Sequence, residues 1–317
     1  MLEPWKMPQI VKGMLTYVPA LNAWRQHRAS TGGSSSPRYC YGVWLRHLVT
    51  LRRHGFDVRG ASIAELGPGD SIGTGLAALL SGAQRYVGLD IVPYSTKADL
   101  RRMLTDLAEL YAAKAPIPDD REFPAVRPTL TSYSFPEFVP GGAEAISNAN
   151  RLMPAIEQGL SESAEIGYHA PWDAASIVSA GSIDLVFSQA VLQYVADLES
   201  VYRLMFRWLR PGGFCSHSTG LGANNFSPFW NGHWAYTDRE WRLVRGRREC
   251  IVNREPLSAH LRLAESAGFD ILHVDAQHDA GGLASSDLAS AFRGLDPDDL
   301  STRGAVFILR KPEMTTH

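Results

Sequence analysis

Apolar residues recur along this chain with two periods, and the alternation between them predicts the order of elements. Short apolar runs read as strands at Ile63–Leu66, Arg85–Asp90, Glu165–His169, Ser182–Gln189, Phe214 onward, Phe269–Val274 and Ala305–Arg310. Helical spacing appears in Tyr39–Arg53, where Tyr41, Trp44, Leu45, Leu48, Val49 and Leu51 form one face, and in Lys97–Ala115, with Leu100, Met103, Leu104, Leu107, Leu110 and Tyr111. Further helices are predicted at Gly142–Gly159, Leu198–Leu209, Ser258–Ala267 and within Gly281–Asp299. Strands that alternate with helices in this way predict an α/β protein built on a parallel sheet. Six prolines between Pro116 and Pro140 break regular structure, so roughly 75 residues separate the second and third strands, where one helix and short loops would suffice.

The first turn carries the chemistry. Ile63-Ala64-Glu65-Leu66 runs into Gly67-Pro68-Gly69, and the helix start that follows is rich in small residues. Glycines let the chain turn sharply after a strand and let a ligand approach the backbone. The second strand ends in Asp90, placed to accept the hydroxyl hydrogens of a ribose, with Ile91 beside it as a further contact. A dinucleotide fold expects a third glycine three residues after the second, but position 72 is Ile. Glu65 would repel a pyrophosphate and attract a cation.

This turn resembles motif I of the class I S-adenosylmethionine-dependent methyltransferases, with Ser71 in place of the last glycine. The resemblance continues in Ser182–Val195, similar to the fourth strand and its helix, and in Leu209-Arg210-Pro211-Gly212-Gly213-Phe214 before strand five. Together these motifs cover roughly residues 60–220. The resemblance implies a Rossmann-like doubly wound sheet of order 3-2-1-4-5-7-6 with strand 7 antiparallel, a helical extension at 1–60, and a methyltransferase domain at 61–317. Within that domain, 95–160 is expected to be a substrate cover. S-adenosyl-L-methionine is the implied cofactor, bound by Glu65, Gly67, Gly69, Asp90 and Ile91, by Asp173 at the adenine, and by Ser188 and Gln189 near the methionine portion. A hydroxyl acceptor benefits from a base, and His is the side chain matched to neutral pH. His217, just beyond the end of strand five, is the first candidate; His233, within the aromatic and histidine-containing segment 216–260, is the second, with Asp238 as its orienter or as a substrate acceptor. Asp184, at the opposite end of its strand from the ligand, is read as structural.

The expected activity is methyl transfer to a hydroxyl of a small molecule or saccharide, of the bacterial type. N-methylation of a small molecule, an NAD-dependent oxidoreductase, and a cofactor binder without turnover are the alternatives. A chain of 317 residues, 45% hydrophobic, can bury a sizeable core. Its net charge of −2 argues against a dedicated nucleic-acid binder. Cys40, Cys215 and Cys250 show neither CxxC spacing nor even number, which predicts neither a zinc site nor a disulfide framework. The strand-four and strand-five loops lack an acidic cluster, and no metal is expected. No apolar run is long enough to cross a bilayer, and residues 1–12 lack a secretory h-region, so a cytoplasmic protein without a membrane partner is expected.

Overall fold

The computed structural model describes residues 3–18, 33–160, 164–172 and 177–313. Seven strands form one sheet: β1 (Ser62–Leu66), β2 (Arg85–Leu89), β3 (Ile166–His169), β4 (Ile183–Gln189), β5 (Leu209–Gly220), β6 (Asp270–His278) and β7 (Thr302–Arg310). Their order is β3-β2-β1-β4-β5-β7-β6, the order expected from the class I methyltransferase motifs. The first five strands are parallel, and β7 lies antiparallel between β5 and β6.

Side chains alternate across the strands and meet a helical layer on each face. Ile63, Leu185, Phe187, Phe214 and Ile308 join one core, and Ala64, Val186, Cys215, Phe307 and Leu309 the other. The first face is covered by α2 (Pro37–Arg53) and α3 (Gly73–Leu80), followed by α4 (Leu100–Ala112) and α5 (Ala143–Gln158). Helix α2 begins where Ser36 accepts a hydrogen bond from the Tyr39 N–H and Pro37 occupies the first turn. The second face is covered by α6 (Leu198–Trp208) and α8 (Leu257–Ala267). Asp197 caps α6, whose Leu198, Tyr202, Met205 and Trp208 form a buried stripe; each large apolar side chain buried there contributes roughly 1.5–3 kcal/mol.

The structure divides two predicted units differently. Within 95–160, Met103, Leu104, Leu107, Tyr111, Ala145, Ala149 and Leu152 enter the same core as α2 and α3, so this insertion extends the helical layer of the sheet. Among the described residues of 1–60, α2 is the long helix that joins that layer. Helix α1 (Met7–Met14) instead packs on α7 (Asp238–Arg245): Ile10 clusters with Tyr236, Trp241 and Val244, and the Lys6 ammonium donates to the Ala235 carbonyl at 2.6 Å. Around Trp234, a further cluster gathers Ala235, Leu288, Phe292 and Leu300. The helix predicted within Gly281–Asp299 is two single 3₁₀ turns and the short α9 (Pro297–Ser301), because Leu288 and Phe292 reach Trp234 from an irregular path. The aromatic segment and the amino terminus thus form one cap.

Candidate functional site

The site is built on the carboxyl ends of β1, β2 and β4. Gly67 has φ +63° and Gly69 φ +76°, the left-handed conformation that favours glycine. A Cβ on Gly67 would also lie 2.6 Å from the Val191 side chain, so the turn can approach the β4 loop only without one. The Gly67 N–H donates to the Leu89 carbonyl at 2.8 Å, and the Gly69 N–H to Asp90 Oδ2 at 3.3 Å. Asp90 Oδ1 accepts from the N–H groups of Ile91 at 2.8 Å and Val92 at 3.4 Å. Three backbone donors therefore hold a carboxylate that is only 7% exposed. A carboxylate has about four acceptor positions, which leaves capacity for a ligand hydroxyl. Burial pushes its pKa up, and the three donors pull the other way. Ile91 beside it is 51% exposed, an apolar side chain at the crevice mouth.

Glu65 lies in β1 opposite Gly88 of β2. Its Oε2 accepts the Tyr86 hydroxyl at 2.6 Å, and burial raises its pKa to about 8 against that hydrogen bond, with Asp90 adding to the rise. In an empty crevice this carboxyl is thus held close to neutrality; an adjacent cation would restore its charge.

Two polar pairs tie the end of β4 to its neighbours. Ser188 Oγ is 2.8 Å from His217 Nδ1, and Gln189 Oε1 is 3.0 Å from His47 Nε2, whose Nδ1 is 2.7 Å from Ser216 Oγ. Because Gln189 Oε1 can only accept, His47 carries its proton on Nε2 and accepts from Ser216. Next in the chain, Ala190 takes a positive φ of 56°, and its N–H donates to the Ser218 carbonyl at 2.7 Å. The following turn is fixed by Asn253, whose Nδ2 donates to the carbonyls of Leu192 and Val195 at 2.8 and 2.9 Å.

The structure places both histidines expected as bases in the interior. His217 does not lie beyond β5 but inside it, opposite Phe307, and is fully buried. Burial, then His47 and His260, lowers its pKa to about 3, and its Nε2 has no hydrogen-bond partner. His233 is 1% exposed and packs on Trp234 at 4.7 Å, with its pKa lowered to about 3 by burial and by Arg254. Asp238 pairs with Arg254 at 2.7 Å. Asp184 pairs with Arg210 and accepts the Ser62 N–H, as a structural group would. Asp173 lies outside the described residues; nearby, the Trp172 N–H donates to the Asp90 carbonyl at 3.1 Å.

The groups that approach Asp90 from outside the strands were not apparent in the sequence. Burial raises the pKa of Tyr94, and the charges of Cys250, Asp90, Glu249 and Asp70 add to the rise. Cys250 also raises the pKa of Tyr194, whose hydroxyl accepts from Asn224 Nδ2 at 2.9 Å. Such contacts join positions far apart in the chain, and no local spacing announces them. Among the described residues, no three His, Cys, Asp or Glu side chains gather as a set of metal ligands.

Comparison with known proteins adds a family match. Residues 169–216, from the end of β3 into β5, match the family described as "Methyltransferase domain". No curated protein matches the chain. Among solved structures, the chain is similar to an S-adenosylmethionine-dependent methyltransferase from Mesorhizobium loti, at 16% identity and a TM-score of 0.40, over 84% of this chain and 97% of that one. It is also similar to phosphoethanolamine N-methyltransferase 2 of Haemonchus contortus in complex with S-adenosyl-L-methionine (16% identity, TM-score 0.44, 85% of this chain and 53% of that one). A third similar structure is geranyl diphosphate C-methyltransferase from Streptomyces coelicolor (10% identity, TM-score 0.43, 84% and 78%).

Proposed function

We propose that the crevice between Glu65 and Asp90 binds S-adenosyl-L-methionine and that the chain transfers its methyl group to a hydroxyl of a small molecule or saccharide. The observation that carries this reading is the placement of two buried acids at the ends of adjacent parallel strands, on either side of a glycine turn. The match of residues 169–216 to a methyltransferase domain supports it independently.

The residues present fit this cofactor. Asp90, held by three backbone donors, has acceptor capacity left for the ribose, and Ile91 offers an apolar surface beside it. Glu65 suits the cationic amino end, because a buried carboxyl gains its charge when a cation arrives. When bound, the cofactor supplies an electrophilic methyl group on a sulfonium, so the protein's task is alignment and exclusion of water. Gln189, locked by His47, and Ser188, locked by His217, line the end of β4. In this reading His217 is a positioning residue, acting through Ser188. Tyr194, 36% exposed, accepts a hydrogen bond from Asn224 Nδ2 at 2.9 Å.

Calorimetric titration with S-adenosylhomocysteine, S-adenosylmethionine and NAD tests the cofactor. We expect binding of the first two, weakened about 10- to 100-fold by Asp90→Ala, the loss of one or two charge-assisted hydrogen bonds. Binding of NAD alone, or unchanged affinity in that variant, would overturn the reading. A methyl-transfer screen against glycans, phenols and amines tests the acceptor class.

A further inference from the structure

We propose that the edge formed by α1 and α7 docks on an anionic lipid surface. Helix α1 turns Ile10 and Gly13 inward, so closely that a Cβ on Gly13 would lie 1.9 Å from the Leu243 carbonyl oxygen. Its opposite side is also apolar. Met7, Val11 and Met14 form one helical stripe, Leu15, Tyr17 and Val18 extend it, and Leu243 of α7 lies alongside. These seven are half of the fourteen large apolar side chains found exposed among the described residues, and they come from two short segments packed together. Single exposed apolar residues are ordinary in soluble proteins, whereas a continuous stripe marks a contact surface.

Charge selects the occupant. Residues 3–18 and 238–249 contain seven Lys and Arg against four Asp and Glu, in a chain whose net charge is −2. Lys12, Arg239, Arg242, Arg245 and Arg247 are exposed, and the Arg247 guanidinium sits 5.2 Å from the Tyr17 ring centre. Of the acids, Asp238 pairs with Arg254 outside this edge, and Glu240 caps α7 and pairs with the buried Lys6, which leaves the exposed cations in excess. A second copy of the chain would oppose this excess of positive charge with the same excess. An interface of anionic lipid headgroups over acyl chains satisfies both parts, apolar stripe below and cations at headgroup level. The sequence expectation of no membrane partner rests on the lack of a spanning run. No described helix is long and apolar enough to cross a membrane, but docking on its surface requires no span.

The test is co-sedimentation of the full chain with vesicles of phosphatidylcholine alone and of phosphatidylcholine mixed with phosphatidylglycerol. We expect binding to the mixed vesicles at least about tenfold stronger than to the neutral ones, and weaker as salt is raised. Val11→Asp with Met14→Asp, and separately Arg239→Glu with Arg242→Glu, should each reduce it about tenfold or more. All four side chains are exposed, so circular dichroism and melting temperature should stay at wild-type values. Hydrogen exchange on the unmodified protein provides a reading that needs no variant: residues 7–18 should gain protection with mixed vesicles. Equal binding to both vesicle types, or no protection of 7–18, overturns the proposal. It is equally overturned if Val11→Asp with Met14→Asp converts a dimer to a monomer while vesicle binding persists, or if only an acidic peptide protects this edge. None of these readouts depends on methyl transfer.

Discussion

The Tyr86 hydroxyl donates to Glu65 Oε2 at 2.6 Å, and two glycines make that contact possible. A Cβ on Gly75 would lie 2.2 Å from the Tyr86 ring, and one on Gly88 2.8 Å from its hydroxyl. Tyr86 therefore crosses from β2 to the carboxyl of β1 through space that any side chain at 75 or 88 would occupy. Replacing Tyr86 with Phe leaves a buried carboxyl without this donor. The expected loss is about 1–3 kcal/mol of stability, measured by urea denaturation at neutral pH.

Glu65 also sets a pH dependence. Its carboxyl has an ordinary pKa of 4.5, raised in the fold to about 8. Between these values the folded chain holds a proton that the unfolded chain releases, so stability falls as pH rises through the window and levels off above it. Glu65→Gln should flatten the decline in denaturation midpoints between the ordinary value of 4.5 and the raised value of about 8. In the wild type, binding of a cationic cofactor near neutral pH should release a proton, seen as a dependence of the calorimetric heat on the buffer's ionisation enthalpy.

Acid should act on the opposite side. Burial lowers the pKa of His47 and His260 to about 4 and that of His217 and His233 to about 3, from an ordinary value of 6.5. The unfolded chain takes up these protons first, so the histidines' contribution to stability is complete above pH 6.5 and is lost progressively as pH falls below it. Far-UV circular dichroism should show a steep acid transition. His260→Gln, which keeps a partner for the Tyr202 hydroxyl, should shift it to lower pH.

Asn253 holds the turn after β4 from outside the sheet. Asn253→Ala removes both bonds to the carbonyls of Leu192 and Val195. We expect faster amide exchange in residues 191–195 and a loss of about 1–2 kcal/mol in stability. If this turn shapes the acceptor mouth, KM for the acceptor should rise more than kcat falls.

The strands were legible because each apolar run carries its own period and stop signals, whereas their order followed from the resemblance to the class I methyltransferases. Gly67, Gly69 and Pro211 mark turns by backbone preference alone, and an acid at each strand end follows from local spacing. The roles of the histidines were not legible. His217 sits one strand away from Ser188 and among side chains of β7 and α8, so its burial and lowered pKa depend on residues distant in sequence. The electrostatic influence of Cys250 on Tyr94 and Tyr194 joins positions far apart in the chain for the same reason.

Local sequence by itself determined the alternating elements, the glycine turn and the pair of acids at Glu65 and Asp90, since strand period and turn chemistry act over a few residues. Tertiary structure alone decided which polar groups are buried, that the amino-terminal helix joins the aromatic segment in a cap, and that residues 95–160 extend the core. Solvation and electrostatic environment arise from contacts between distant parts of the chain, and these exist only once it has folded.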